Sequence, residues 1–379
     1  MRVYLDNAAT TPIAPEVVEA MIPVLRNEFG NPSSTHYFGR QTKMLLETSR
    51  RTIAKYLNCA PSELIFTSGG TEADNVALNT SVHQLNVKRI ISTSIEHHAV
   101  GHTLEHLEES NGVEVVLLKL DTKGNINLSE LEELLKEDKI TLVSLMHANN
   151  EIGTLTPIRE VAALTKKYNA YFHSDTVQTM GHYNFDLNAL GIDFVTCSAH
   201  KFHGPKGVGF LYVNKRIKPD VLIFGGAQER GYRGGTENLY GIVGLAKAIE
   251  LAYEHLEEHA KHVQQVKTHM INRLKSIFPE VSFHGEINPE KSLYTVLNVC
   301  LPKNEKSSML LFTLDLKGVA CSGGSACSSG ATTASHVLTG IQADVTRPNV
   351  RFSFSRYTTI DEVDFAVNQL EETYAKTLS

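Results

Sequence analysis

Short apolar runs and segments of helical spacing alternate along most of the chain. Residues 89–93 and 141–146 have the length and composition of buried strands, and residues 99–109 between them repeat apolar positions at helical spacing. Strands that alternate with helices in this way are typical of a parallel sheet covered by helices on both faces. We therefore predict an α/β fold with a mostly parallel central sheet.

One long helical stretch interrupts this alternation. Residues 237–277 keep helical spacing, and strand-like runs return only after them. We interpret this stretch as the connection to a second domain. The expected organisation is a large domain over residues 15–258 and a smaller α+β domain that combines residues 1–14 with residues 259–379.

The composition is that of an ordinary globular protein. Hydrophobic residues make up 42% and charged residues 21% of the 379 residues, and the formal net charge is −6. Since no basic stripe occurs, this charge argues against a nucleic-acid partner. The longest apolar run, residues 113–118, is far too short to cross a bilayer, and the first residues lack an apolar signal segment. We expect a cytoplasmic protein with no membrane association.

The five cysteines form no pattern that is typical of a disulfide framework or a zinc site. Their number is odd, their spacings are wide and no Cys-x-x-Cys pair occurs. Cys327 differs from the others because serine, glycine and alanine surround it in segment 322–330. A segment of this composition does not form a core element, so we expect the Cys327 thiol to be exposed and mobile.

Two histidine repeats raise the question of a metal site. His98, His102 and His106 recur every four residues, as do His255 and His259, so each set occupies one face of a helix. No carboxylate or cysteine set completes either group. We therefore interpret both as exposed helix faces and predict no metal ligand.

Polar residues crowd the ends of four predicted strands. The carboxyl ends of parallel strands lie at one edge of a sheet, where α/β proteins bind ligands. One polar strand end is as readily explained by local hydrogen bonding as by function, but four in succession are not. The four segments are residues 68–71, 96–98, 173–178 and 197–201.

The groups in these segments match the needs of one kind of cofactor. Lys201 leaves an apolar strand and could attack a carbonyl, and Asp175 follows such a strand and needs a cationic partner. The glycines before Thr71 let the start of a helix approach an anion. An aldehyde cofactor with a phosphate and a protonated ring nitrogen would use all three groups.

Taken together with other segments, the sequence resembles the cysteine desulfurases. These enzymes belong to the class-V aminotransferase branch of the fold-type I pyridoxal-phosphate enzymes. The segment that ends at Cys327 resembles the long catalytic loop of the group linked to iron–sulfur cluster supply. The resemblance covers the chain from end to end and implies pyridoxal 5′-phosphate as the cofactor. The matching segments are 4–11, 29–34, 67–75, 96–97, 149–153, 173–178, 198–201, 233–236, 322–327 and 351–353.

The resemblance implies roles for five residues around the cofactor ring. Lys201 would hold the cofactor covalently and remove the α-proton of the substrate. Asp175 would pair with the ring nitrogen, and His97 would stack on the ring and take part in proton transfer. Gln178 would contact the ring hydroxyl, and Asn150 would lie near that hydroxyl or the substrate carboxylate.

The resemblance also implies a phosphate site that two subunits share. Gly70, Thr71, Ser198 and His200 would bind the phosphate within one subunit. Thr236 would reach the phosphate of the neighbouring subunit, so the expected assembly is a homodimer.

The implied reaction moves sulfur from L-cysteine to the enzyme and leaves L-alanine. Arg351 and Asn31 would hold the substrate carboxylate, for which the planar fork of arginine is well suited. The Cys327 thiolate would attack the substrate sulfur and keep it as a persulfide. The sulfur would then pass to an acceptor protein, such as an iron–sulfur scaffold or a protein that makes another thio-cofactor.

Other interpretations stay open at this point. The same cofactor could serve a selenocysteine lyase or a class-V aminotransferase, and Cys327 argues only against the plain aminotransferase. A catalytically idle sulfur carrier or scaffold partner could share the fold, although Lys201, Asp175, His97 and Cys327 argue for an enzyme. Cys321 could resolve a persulfide or form a disulfide, but a bystander thiol is the preferred interpretation.

Overall fold

The computed structural model describes residues 1–221, 223–303, 309–323 and 335–375. Cys327 lies outside the described residues. Helical spacing also predicts a helix over residues 306–314, and its first three residues lie outside the described residues as well. The strands are β1 Val3–Tyr4, β2 Leu64–Thr67, β3 Arg89–Ser92, β4 Glu114–Leu117, β5 Thr141–Ser144, β6 Tyr171–Asp175, β7 Phe194–Ser198, β8 Gly209–Val213, β9 Ser282–His284, β10 Val296–Cys300, β11 Val319–Ala320 and β12 Asn349–Ser353. The helices are α1 Pro15–Asn27, α2 Tyr37–Tyr56, α3 Gly70–His83, α4 His98–Asn111, α5 Leu128–Leu135, α6 Ile158–Lys167, α7 Leu187–Leu190, α8 Leu239–Glu254, α9 Leu256–Ile277, α10 Leu310–Leu316, α11 His336–Gly340 and α12 Ile360–Ala375. None of these helices, as far as the chain is described, has the length and apolar character needed to cross a membrane.

Seven strands form the central sheet, in the order β2-β8-β7-β6-β5-β3-β4. The neighbouring pairs from β7-β6 to β3-β4 run parallel. Strand β8 runs antiparallel to both β2 and β7. The prediction of a mostly parallel central sheet is therefore confirmed, and β8 is an exception that the alternation of elements did not reveal.

The main core encloses the middle of this sheet. Phe172 of β6 and Val195 of β7 are fully buried, and they belong to the same apolar cluster as Leu245 of α8. Helix α8 packs in turn on α1 and α2. Because β6 and β7 are parallel, Asp175 at the end of β6 and Ser198 at the end of β7 come to the same edge of the sheet.

A second core forms around a smaller antiparallel sheet in which β10 lies between β9 and β12. Met270 of α9, Leu297 of β10 and Val363 of α12 pack together there. Strand β1 pairs in parallel with β11 and brings Val3 into the same cluster. The first residues of the chain therefore pack with its C-terminal part, while the exact domain limits stay a prediction.

The helical stretch predicted over residues 237–277 consists of two helices. Helix α8 ends at Glu254 and α9 begins at Leu256, because His255 between them has φ −120° and ψ 23°. Helix α8 contributes to the main core and α9 to the second core, so the chain has to change direction between them. Neither glycine nor proline marks this break in the sequence.

Candidate active site

A cavity of about 280 Å³ opens at the carboxyl ends of β6 and β7. The starts of α3 and α4, the N-terminal segment and β12 form its other walls. The structure therefore brings segments that are far apart in the sequence to one place. The proposed site residues that line the cavity are Gly70, Thr71, His97, Asn150, Asp175, Gln178, Ser198, His200, Lys201 and Arg351.

Lys201 enters the cavity from a short 3₁₀ turn, Ala199–Lys201, that directly follows β7. Its Nζ donates hydrogen bonds to the carbonyl oxygens of Ala8 at 2.7 Å and Ala9 at 2.9 Å. Gln178 holds the same segment, because its Nε2 donates to the Ala8 oxygen at 3.1 Å. The Lys201 amine is thereby anchored to the N-terminal segment that closes one side of the cavity.

Two buried carboxyl groups and one imidazole meet in the cavity wall. Ligating atoms of Asp74, His97 and Asp175 all lie within 4.8 Å of one another. Burial raises the pKa of Asp74 to about 7 and that of Asp175 to about 6, and the charge of Asp74 adds to the shift at Asp175. Burial also lowers the pKa of His97. The Nδ1 of His97 accepts a hydrogen bond from the Ala99 N–H at 3.1 Å, so the proton of the neutral ring lies on Nε2.

The carboxyl pair fits the protonated ring nitrogen of a pyridine cofactor. Two adjacent buried carboxylates repel each other, and a cation placed against Asp175 removes much of the cost of ionising it. The same three side chains are also a possible metal donor set, and within the described residues no other set of three converges so closely. Lys201 in the same cavity favours an aldehyde-bearing ring over an ion, because only the ring makes use of the amine.

The start of α3 forms the side of the cavity that suits an anion. Helix α3 begins at Gly70, and its N-cap residue Gly69 has φ 154° and no side-chain cap. A Cβ atom at Gly70 would lie only 2.7 Å from a methyl carbon of Val177, so any other residue would displace that side chain. The free N–H groups of the first turn, with Thr71 and Ser198 beside them, fit a phosphate group.

Arg351 reaches the cavity from β12, and only 1% of its side chain is exposed. Its Nη2 donates to Oδ1 of Asp6 at 2.9 Å, and its Nη1 donates to the carbonyl oxygen of Asn150 at 3.0 Å. The buried Nε has no hydrogen-bond partner in the part of the chain that the structure describes. The Ser322 hydroxyl also donates to Oδ1 of Asp6, at 2.8 Å. A buried guanidinium of this kind suits the carboxylate of an amino acid.

Two of the proposed residues do not line this cavity, and a third lies outside the described residues. Asn31 is exposed, and its Oδ1 accepts a hydrogen bond from the Ser33 N–H at 2.9 Å. Thr236 is exposed beside a separate cleft of about 130 Å³. Cys327 lies outside the described residues. The roles of Asn31, Thr236 and Cys327 therefore stay predictions.

Three buried acids in or near the cavity, Asp74, Glu96 and Glu151, received no role from the sequence. Asp74 lies inside α3 beside buried alanine and valine residues, and a lone carboxylate on that apolar face is the signal that could have identified it. Burial raises the pKa of Glu96 to about 8. Glu96 accepts hydrogen bonds from the Thr93 hydroxyl at 2.7 Å and the Met146 N–H at 2.8 Å, and so supports the loop that carries His97.

Known proteins with similar sequences and structures agree with one another. The Aminotransferase class-V family matches residues 3–365. A protein named Cysteine desulfurase IscS, from Dictyoglomus turgidum, is 43% identical over 99% of this chain and 95% of its own length. A solved NifS-like protein has a TM-score of 0.91 at 38% identity, covering 99% of this chain and 100% of that protein. A structure described as SspA in complex with cysteine has a TM-score of 0.79 at 32% identity, covering 95% and 100% of the two chains.

Proposed function

Because this chain belongs to the cysteine desulfurases of the Aminotransferase class-V family, we propose that it takes sulfur from L-cysteine and releases L-alanine. Membership of this family confirms the resemblance and the fold-type I architecture that the sequence implied. The family uses pyridoxal 5′-phosphate, which when bound supplies the electron sink for cleavage of the carbon–sulfur bond.

The observation that carries the proposal is that Lys201, His97 and Asp175 share one cavity with Arg351. The first three residues come from the ends and loops of the central sheet, whereas Arg351 comes from the smaller sheet. Arg351 binds the substrate carboxylate, with Asn31 as a second partner, and Lys201 acts on the α-carbon. The two parts of the chain therefore form the substrate site together.

The residues of the cavity hold the cofactor and move protons. Lys201 would hold the cofactor covalently, and its Nζ would carry the α-proton of the substrate. Asp175 would pair with a protonated ring nitrogen, and His97 would stack on the ring with its Nε2–H available as a donor. Gln178 would contact the ring hydroxyl, and Asn150 would lie near that hydroxyl or the substrate carboxylate. Support for these roles comes from the burial and hydrogen bonds of these residues in the cavity.

The phosphate site extends to a second subunit in this proposal. Gly70, Thr71, Ser198 and His200 bind the phosphate within the subunit, and Thr236 of one subunit completes the site of the other in a homodimer. The exposure of Thr236 and its place outside its own subunit's cavity support this arrangement.

Cys327 accepts the sulfur in the proposed reaction. Its thiolate attacks the substrate sulfur, a sulfur–sulfur bond forms and the carbon–sulfur bond breaks, leaving its electron pair with the carbon fragment, which takes up protons and departs as L-alanine. A thiol and L-cysteine thus become a persulfide and L-alanine, so the step needs no added oxidant or reductant. The hydrogen bond from Ser322 to Asp6 supports this role, because it fixes the start of the Cys327 segment beside Arg351.

We propose that the next step is transfer of the sulfur to an acceptor protein in the cytoplasm. The persulfide sulfur passes from Cys327 to a protein such as an iron–sulfur scaffold or an enzyme that makes another thio-cofactor. The resemblance of segment 322–327 to the long catalytic loop supports this assignment, since a thiol on such a segment can serve both the cavity and an external acceptor.

An assay of product formation tests the proposed function. The purified protein, loaded with pyridoxal 5′-phosphate, should convert L-cysteine to equal amounts of L-alanine and sulfide when a thiol reductant is present. The Lys201→Ala variant should form neither product and should lack the absorbance of the covalently bound cofactor. Turnover of L-selenocysteine alone would favour a selenocysteine lyase, and amino-group transfer without sulfide would favour an aminotransferase. No turnover of any of these substrates would favour an idle sulfur carrier.

A further inference from the structure

The histidine repeat of α4 meets another histidine at the mouth of the cavity. His98 lines both the cavity and the groove that continues from it along α4, and His336 at the start of α11 lines the cavity as well. The ring centroids of His98 and His336 are 4.5 Å apart, and those of His98 and His102 are 4.9 Å apart. Two separate helices thus supply three neighbouring imidazoles, and we name these residues the histidine cluster.

Hydrogen bonding leaves metal-binding nitrogens available in the histidine cluster. The Nε2 of His336 donates to the carbonyl oxygen of Glu96 at 2.9 Å, so Nδ1 of the neutral ring keeps its lone pair. A ring fixed through one nitrogen on a backbone carbonyl is the usual arrangement of a histidine ligand. The side chains of His98 and His102 make no hydrogen bond to other described residues.

We propose that the histidine cluster binds one divalent transition-metal ion of the zinc, nickel or copper class, for which imidazole is a preferred ligand. Two imidazoles on one tetrahedral zinc ion, with Zn–N distances of about 2.0–2.1 Å, hold their ring centroids roughly 5 Å apart. The two ring spacings from His98, 4.9 Å to His102 and 4.5 Å to His336, are close to this value. The exposed ring of His102 turns its nitrogen toward the ion by a change of rotamer, which costs little at a surface.

An ion bound at this position would affect the entrance to the cavity. The metal would join α4, whose N-cap is His97, to α11, and would narrow the entrance between them. The sequence argued against a metal on α4 because nothing nearby completed the set of ligands. The fold supplies the third imidazole from a distant segment. This proposal does not depend on the reaction that the cavity performs.

Equilibrium dialysis against Zn²⁺ provides the test, and three precautions make it specific. Loading the protein with pyridoxal 5′-phosphate keeps zinc away from the acidic cluster around Asp175. A Cys327→Ser parent removes a thiol that would bind zinc. L-Cysteine is left out because its thiolate also binds zinc. The expected result is one tightly bound ion per chain, with X-ray absorption showing nitrogen ligands at about 2.0 Å and no sulfur ligand.

Matched histidine variants identify the ligands. His102→Ala and His336→Ala should each weaken zinc binding by about tenfold or more. His106→Ala lies one turn further along α4 and should bind zinc as the parent does, as should His255→Ala in the other helical pair. Unchanged affinity in both His102→Ala and His336→Ala would overturn the proposal, and so would an equal loss in His106→Ala. Since His102 is exposed, its replacement leaves the fold intact.

Discussion

A buried ion pair anchors the segment that leads to Thr236, and its removal has a calculable cost. Arg50 of α2 and Glu229 are each only 2% exposed, and two guanidinium nitrogens donate to the two carboxylate oxygens at 2.8 and 2.7 Å. Arg50 also donates to the Leu64 carbonyl oxygen, and Glu229 accepts from the Phe66 N–H, both at 2.9 Å. The Arg50→Met change keeps most of the packing but leaves a buried carboxylate without its cation. The expected loss is about 3–5 kcal/mol of unfolding free energy.

Urea denaturation followed by circular dichroism measures this loss on the cofactor-loaded protein. The double variant Arg50→Met/Glu229→Gln removes both charges, and the glutamine still offers an acceptor for the Phe66 N–H. It should therefore be more stable than Arg50→Met alone, because no unpaired charge stays buried. A free energy of unfolding of Arg50→Met within about 1 kcal/mol of the parent would contradict the predicted cost of the unpaired charge. Simple addition of the two changes in the double variant would contradict it as well.

Three further variants test separate parts of the account. Burial lowers the pKa of Lys267, which is only 1% exposed, from 10.5 to about 7. Between these pH values the folded chain therefore binds fewer protons than the unfolded chain, and the stability of the fold rises with pH. Lys267→Met should flatten this rise in melting temperature between pH 7 and pH 9, and an unchanged slope would contradict the assignment. Thr236→Ala should retain the cofactor less tightly than Thr236→Ser in a dialysis assay, and equal retention by both would count against a shared phosphate site. Burial and the charge of Asp6 raise the pKa of the Cys321 thiol to about 12, which disfavours its reactive thiolate form. Cys321→Ser should therefore keep most of the sulfur-transfer rate. A loss greater than tenfold would mean that Cys321 takes part in sulfur transfer.

The parts of the fold that the sequence predicted well are those buried on both faces. The predicted strands at 89–93 and 141–146 correspond to β3 and β5, because an enclosed parallel strand needs a continuous apolar run. The pairing of β1 with β11 was not predictable in this way. Each has two residues, and the register of Val3 with Val319 depends on contacts between opposite ends of the chain.

The same distinction, between local pattern and contacts of distant segments, applies to the residues of the candidate site. Asp175 and Lys201 were predictable because parallel strands bring their carboxyl ends to one edge. The ion pair of Asp6 with Arg351 was not, since it joins the first residues to β12. Asp74 was not predicted as a site residue, because helical spacing alone does not show which face of α3 lines the cavity.

Mass spectrometry after one brief exposure to L-cysteine, without a reductant, shows which thiol receives the sulfur. We expect one additional sulfur atom on the peptide that contains Cys327 and about one L-alanine released per modified chain. The Cys327→Ser variant should stay folded and keep the absorbance of the bound cofactor, but gain no sulfur. Sulfur found on Cys321 instead, or L-alanine and sulfide released by Cys327→Ser at the parental rate, would contradict the proposed transfer to Cys327.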